Sequence, residues 1–167
     1  MLKTVILFTA FVLVLLFTGI ITKNSIVRQH NDKLDDMDRQ RFNFALGNDY
    51  SYKNGKVERV LSMNEEKDVS VKIWSFNVLG DISIRLFDSE GKVHLKKEGK
   101  NMDDSLSIIL GKGSYLLGIK CNHAFLGSYV LGFRNIDALR SPVSMDSVSQ
   151  VRKKFPERPI NIYSRAD

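Results

Sequence analysis

One cysteine, one tryptophan, three prolines and three histidines in a chain of 167 residues leave several chemistries with little material. A lone Cys121 excludes any disulfide within the chain, so nothing staples the fold covalently. The three histidines, His30, His94 and His123, fall on a predicted stalk, a short edge strand and a turn, and no Gly-x-Ser-x-Gly elbow accompanies them. Cys121 and His123 alternate in one turn, but one cysteine with one histidine is half a metal site and a dyad without a third group. A dominant basic face is missing too. The chain carries a formal charge of +6, yet residues 56–133 hold eleven Lys or Arg against ten Asp or Glu, so the excess sits in the flanks and a nucleic-acid domain is not indicated.

Charge, Asn, Gln and Pro are all absent from residues 5–21, and that absence sets the class. At 1.5 Å per residue this run with its flanking threonines covers roughly 28 Å, about the hydrocarbon thickness of a bilayer. The exit Thr18-Gly19-Ile20-Ile21-Thr22-Lys23 offers a signal peptidase β-branched residues where it wants small ones, so an uncleaved anchor is predicted. Lys23, Arg28, Lys33, Arg39 and Arg41 follow the span and would keep the remainder cytoplasmic by the positive-inside rule. The short leader, the signal-like span and an all-β domain have the layout of an exported, tethered module, and an extracytoplasmic domain is expected.

Five segments follow: a leader at 1–4, a transmembrane helix at 5–22, a helical stalk at 23–46, a β-domain at 47–135 and a basic tail at 136–167. Val27, His30, Leu34, Met37, Arg41 and Phe44 form one helical stripe, read as a solvated stalk, with its Asp cluster as a solvated face. Gly47-Asn48-Asp49 and Lys53-Asn54-Gly55 then switch the period from 3.6 to two. Val69, Val71 and Ile73, and then Ile82, Ile84 and Leu86, each line one face, which predicts a hairpin about a loop at 77–80 with Ile73 opposite Ile84. Leu106, Ile108 and Leu110 are expected to pair in the same way with Ile119, Leu117 and Tyr115 across Gly111-Lys112-Gly113-Ser114. With 56–63, 93–95 and 129–133 this makes about seven strands, an antiparallel, jelly-roll-like β-sandwich behind a transmembrane helix. Met145 to Phe155 suggests a short basic helix before Pro156 and Pro159 enforce an extended end.

The run from Gly80-Asp81-Ile82 to Asp88-Ser89-Glu90-Gly91, then Leu106 to Leu110, then Gly113-Ser114-Tyr115 opening a strand, resembles the bacterial pre-peptidase C-terminal type of β-sandwich over residues 56–133. The resemblance implies a non-catalytic, extracytoplasmic accessory or interaction module. Within these 167 residues the domain follows a helical segment and not an enzyme, a departure from that family's expected layout.

The predicted hairpin sets Lys72 opposite Arg85, with Trp74 diagonal to Arg85 and Phe87 nearby, two cations and two aromatics fit to hold an anionic surface polymer or an acidic partner strand. The plainer reading neutralises the cations with an acid such as Glu58. Asp81, Asp88 and the Asp103-Asp104 pair are turn acids with a calcium alternative. No catalytic residue, metal or cofactor is assigned. The expected partners are membrane lipid through residues 5–22 and an anionic cell-surface polymer or protein, with the tail and the 92–100 loop able to rest on anionic lipid. The expected function is a non-catalytic binding or accessory module at a bacterial cell surface; the rivals are a pilin-like assembly subunit, although the apolar run lacks a glutamate and a processing site, and a cytosol-facing regulator of a membrane complex.

Overall fold

The computed structural model describes residues 2–140, with side chains from Ile6 onward. The expected helix at 145–155 and the rest of the basic tail beyond 140 lie outside the described residues. A single helix α1 (Leu2–Arg39) leads into six strands: β1 (Phe44–Met63), β2 (Lys67–Phe87), β3 (Val93–Gly99), β4 (Met102–Leu110), β5 (Gly113–Arg134) and β6 (Ala138–Arg140). Six replaces the expected seven, because β2 and β5 each bend instead of ending and so absorb two expected strands apiece, while β6 is additional.

The segment 77–80 does not reverse the chain. β2 runs through it, with Gly80 at a φ of 75° and a register shift between Leu79 and Asp81. Ile73 therefore faces Asp104 on β4 and Leu131 on β5, while Ile84 faces Lys97 on β3 and Ile119 on β5; the two never meet as a hairpin pair. β5 bends at the same level, where His123 and Leu126 take left-handed φ values of 45° and 42°. β1 shifts register between Lys53 and Gly55, and the short link Lys100-Asn101 carries β3 into β4. The motifs Gly47-Asn48-Asp49 and Lys53-Asn54-Gly55 are thus inside a strand that starts at Phe44.

Bending β1, β2 and β5 on one line folds the sheet over itself and makes the sandwich. One half contains β4, β2 from 67 to 77, the end of β5 and the start of β1; the other contains β3, β2 from 81 to 87, the start of β5, the end of β1 and β6. The alternation read from the sequence does define the core. Val69, Val71, Ile73, Ile82, Ile84, Leu86, Leu117, Ile119, Leu131 and Phe133 from both halves belong to one buried cluster. β4 pairs with β2, from Lys67 opposite Leu110 to Ser75 opposite Met102, and not with β5. Gly111-Lys112 is accordingly an arch from one half to the other, built from the same residues that would make a tight turn.

α1 ends through a left-handed Arg41 (φ 58°), with the Phe42 N–H bonded back to the Met37 carbonyl at 3.0 Å and the Arg41 N–H to that of Asp38 at 2.9 Å, a closure that satisfies its last carbonyls. Arg41 and Phe44 therefore fall off the helical stripe. The rest of the stripe is not solvated. Met37 is buried, His30 is 7 % exposed, and Met37 forms a small apolar cluster with Trp74 and Val130, flanked by Leu34, Phe42 and Phe76. The second half of α1 lies on the outer face of the sheet, and two glycines let it come close: a Cβ on Gly47 would stand 2.5 Å from the His30 ring, and one on Gly132 2.7 Å from Met37 Sδ. The first half is different. From Ile6 to Ile21 its large apolar side chains are exposed, and it is the one helix among the described residues long and apolar enough to cross a membrane.

Candidate functional site

The residues singled out from the sequence as a binding surface are dispersed. Lys72 Nζ bonds Asp36 of α1 at 2.6 Å, so the helix supplies the neutralising acid, not Glu58. Trp74 is on the outer face as expected but lies beneath α1, 6 % exposed. Arg85 stands beside Lys96 and Gly118, with Glu98 at 3.8 Å, and Phe87 is 1 % exposed. Lys72 and Arg85 belong to opposite halves of the folded sheet. The ammonium of Lys72 in turn holds the Asp36 carboxyl below the usual carboxylate range, with help from Gln40.

The other candidates are likewise separated. Cys121 points into the core near Tyr50 and Tyr129, where burial pushes its thiol up and the Tyr129 phenol up to about 12, whereas His123 bonds the exposed Tyr52 hydroxyl at 3.1 Å. Asp88 accepts the N–H groups of Glu90 and Lys92, each at 2.9 Å, and pairs with His94 Nε2 at 2.8 Å; His94 packs edge-on against Tyr115, centroids 5.3 Å apart. Burial raises the Asp88 carboxyl, but the His94 and backbone hydrogen bonds outweigh it and the net direction is down. Asp81 accepts from Asn122 at 2.5 Å, Asp103 is bonded by Lys33 at 2.7 Å and Asp104 by Lys97 at 3.0 Å. These acids do not converge, and among the described residues no three His, Cys, Asp or Glu side chains form a metal-holding group.

What the structure does assemble is a polar cleft of about 470 Å³ at the end of the sandwich away from the bend, lined by Asn43, Lys67, Asp68, Asn135, Ile136 and Asp137. Asn43 stands in the short link between α1 and β1, and Asn135 closes β5 in a left-handed conformation (φ 70°) that asparagine tolerates. Asn43 Oδ1 accepts the Asn135 N–H at 3.0 Å, and Asn135 Nδ2 donates to the Asp68 carbonyl at 2.9 Å. Asp137 receives Lys67 Nζ at 2.8 Å and the Asn64 N–H at 2.6 Å, and Lys67 also meets Glu65 at 3.2 Å. The Lys67 ammonium, and then the Asn64 N–H, hold the Asp137 carboxyl below its ordinary range; the hydrogen bonds to Asp137 and then Glu65 raise Lys67. Ser107 donates to Asp68 Oδ1. Fixed amides, two carboxylates and one ammonium suit the binding of a polar ligand. Sequence reading missed these residues because they come from chain positions up to about 90 apart, and only the Asn135-Ile136-Asp137 strand end carried a local signal.

No family model matches the chain, and no curated protein sequence matches it. Solved structures do. The chain is similar to the pre-peptidase C-terminal domain of a collagenase from Bacillus anthracis, at 10% identity over 55% of this chain and 88% of that one, with a TM-score of 0.43. The likeness is one of fold. A second similar structure is the CspB protease of Clostridium perfringens, at 12% identity over 56% of this chain and 25% of that one (TM-score 0.40). A third is a carbohydrate-binding module of the Cellvibrio mixtus lichenase 5A in complex with cellotriose, at 10% identity over 53% and 89% (TM-score 0.34).

Proposed function

We propose that this protein is a single-pass, membrane-tethered β-sandwich that works outside the cytoplasm as a non-catalytic binding or accessory module, and that its polar cleft receives the partner. The observation that carries this reading is the continuity of α1: one unbroken helix is apolar and exposed from Ile6 to Ile21, then packs on the sandwich from Ile26 to Met37. An exposed apolar surface of that length is stable only among lipid tails, and the docked second half fixes the domain to whatever holds the first. The cleft offers hydrogen-bonding groups already held in place, which suits a hydroxyl-rich or peptide-like ligand.

Membrane fractionation followed by protease treatment of intact spheroplasts tests the reading. The protein is expected to stay in the pellet through an alkaline wash, to leave it only with detergent, and to lose its β-domain to protease added outside. Release without detergent contradicts the tether. A second reading, a cytosol-facing regulator, draws on Lys23, Arg28 and Lys33 immediately after the apolar run; full protection of a pelleted protein from external protease would establish that orientation instead.

A further inference from the structure

The bend carries an apolar row that the core does not use. Tyr52 of β1, Phe125 of β5 and Leu79 of β2 are direct cross-strand neighbours, and they are 59 %, 41 % and 60 % exposed. Three large side chains side by side in water on adjacent strands mark a contact surface. The Tyr52 hydroxyl has a polar partner in His123 Nδ1 at 3.1 Å, and Lys53, opposite Ala124, and Lys100, bonded through its carbonyl by Asn77, lie at the same end of the molecule.

Position selects the partner. α1 meets β5 at two points, Met37 against Gly132 and His30 against Ser128, so descending the helix toward its N-terminus also descends β5 toward its bend. From His30 back to Lys23 is about 10 Å of helix. From Ser128 to Phe125, across the bend at Leu126, is at most about 10 Å of strand. The row therefore lies level with Lys23, the first charge after the apolar run, at the height where hydrocarbon gives way to headgroups. We infer that Tyr52, Phe125 and Leu79 form a second membrane contact that sits in the headgroup and acyl boundary of the leaflet at the Lys23 end of the span. Tyrosine and phenylalanine are suited to that depth, and Lys53 and Lys100 face the phosphates. The sandwich then stands on its bend, with the polar cleft directed away from the lipid. The inference rests on the tethered reading of α1.

The full chain carrying Trp74→Phe with either Phe125→Trp or Leu79→Trp is reconstituted in phosphatidylcholine and phosphatidylglycerol liposomes, with and without brominated acyl chains. Ile109, 69 % exposed near the cleft end of β4, supplies the control Ile109→Trp. Should Trp74→Phe misfold, the same reporters are read as difference spectra against the unaltered protein. Flotation of the liposomes reports the anchor, and tryptophan emission reports the row. The expected result is flotation of all variants, with about a twofold or greater loss of emission on bromination at 125 and 79 and none at 109. Flotation with unquenched, acrylamide-accessible emission at 125 and 79 overturns the inference and leaves the anchor intact. Unquenched emission that is also shielded from acrylamide assigns the row to a protein partner, including a second copy, and overturns it equally. Failure to float removes the tether and this inference together.

Discussion

Asn77 sits where the strands turn over, and its side chain ties β2 to β1 and to the Lys100-Asn101 link. It is 1 % exposed; its Oδ1 accepts the Tyr50 hydroxyl at 2.7 Å, its Nδ2 donates to the Lys100 carbonyl at 3.0 Å, and its backbone N–H donates to Asn101 Oδ1 at 3.1 Å. Asn77→Ala strands two of those partners and is expected to cost about 2–3 kcal/mol, read as a fall in Tm on the order of 10 °C. Gly127 is the counterpart, because a Cβ there would stand 2.0 Å from Asn77 Oδ1. Gly127→Ala should be severely destabilising alone, and the double variant should cost less than the sum of the two, since removing the amide makes room. Ser75 makes the opposite case. It is 2 % exposed and its hydroxyl has no hydrogen-bond partner among the described residues, so Ser75→Ala is expected to leave Tm unchanged or raise it. His30, bonded to Ser128 Oγ at 2.6 Å, gives the helix contact a pH dependence: burial holds its pKa below the ordinary value near 6.5, against the opposite pull of Asp49. The undocked histidine therefore binds the proton more readily, and the docked state is fully favoured above about pH 6.5 and weakened below it. Wild-type Tm should fall more between pH 7 and pH 5 than that of His30→Gln; equal slopes would show that His30 does not couple to docking.

At the scale of elements, the joint between α1 and the sheet depends on two missing side chains and two ion pairs. Gly47→Val and Gly132→Val should each lift the helix, free Lys72 from Asp36 and Lys33 from Asp103, and raise trypsin cleavage after Lys33 and Arg39 several-fold while the sandwich stays folded. The apolar alternation was legible in the sequence, and with it which residues of β2 and β5 point inward. Pairing was not. A strand that bends at Gly80 and a strand that reverses there share the same period of two on either side, so Ile73 and Ile84 looked like hairpin partners when they belong to two halves of one strand. The same ambiguity made Gly111-Lys112 look like a turn between neighbours. Trp74 and Lys72 were correctly placed on the outer face, but what covers them is a helix more than thirty residues upstream whose docking rests on Gly47 and Gly132, and no local pattern announces such a close approach. The cleft was invisible for a related reason: Asn43, Lys67, Asp68 and Asn135 are drawn together only by the crossing of the strands.

For the whole molecule, one helix performs two tasks. Its first half is apolar and exposed, its second half packs on the sandwich, and the helix is unbroken between them. The bend line and the cleft are about 30 Å apart along β5, so under the proposed tether the polar end would stand at a fixed height above the bilayer. Trp74, the single tryptophan, lies at the joint itself and reports it directly. In the intact protein in lipid nanodiscs, Trp74 emission should be blue-shifted and nearly insensitive to acrylamide, because Met37, Leu34 and Phe42 cover the ring. Emission at the wavelength of a solvated indole, quenched as readily as free tryptophan, would mean that the helix hangs free of the sandwich and would contradict the account.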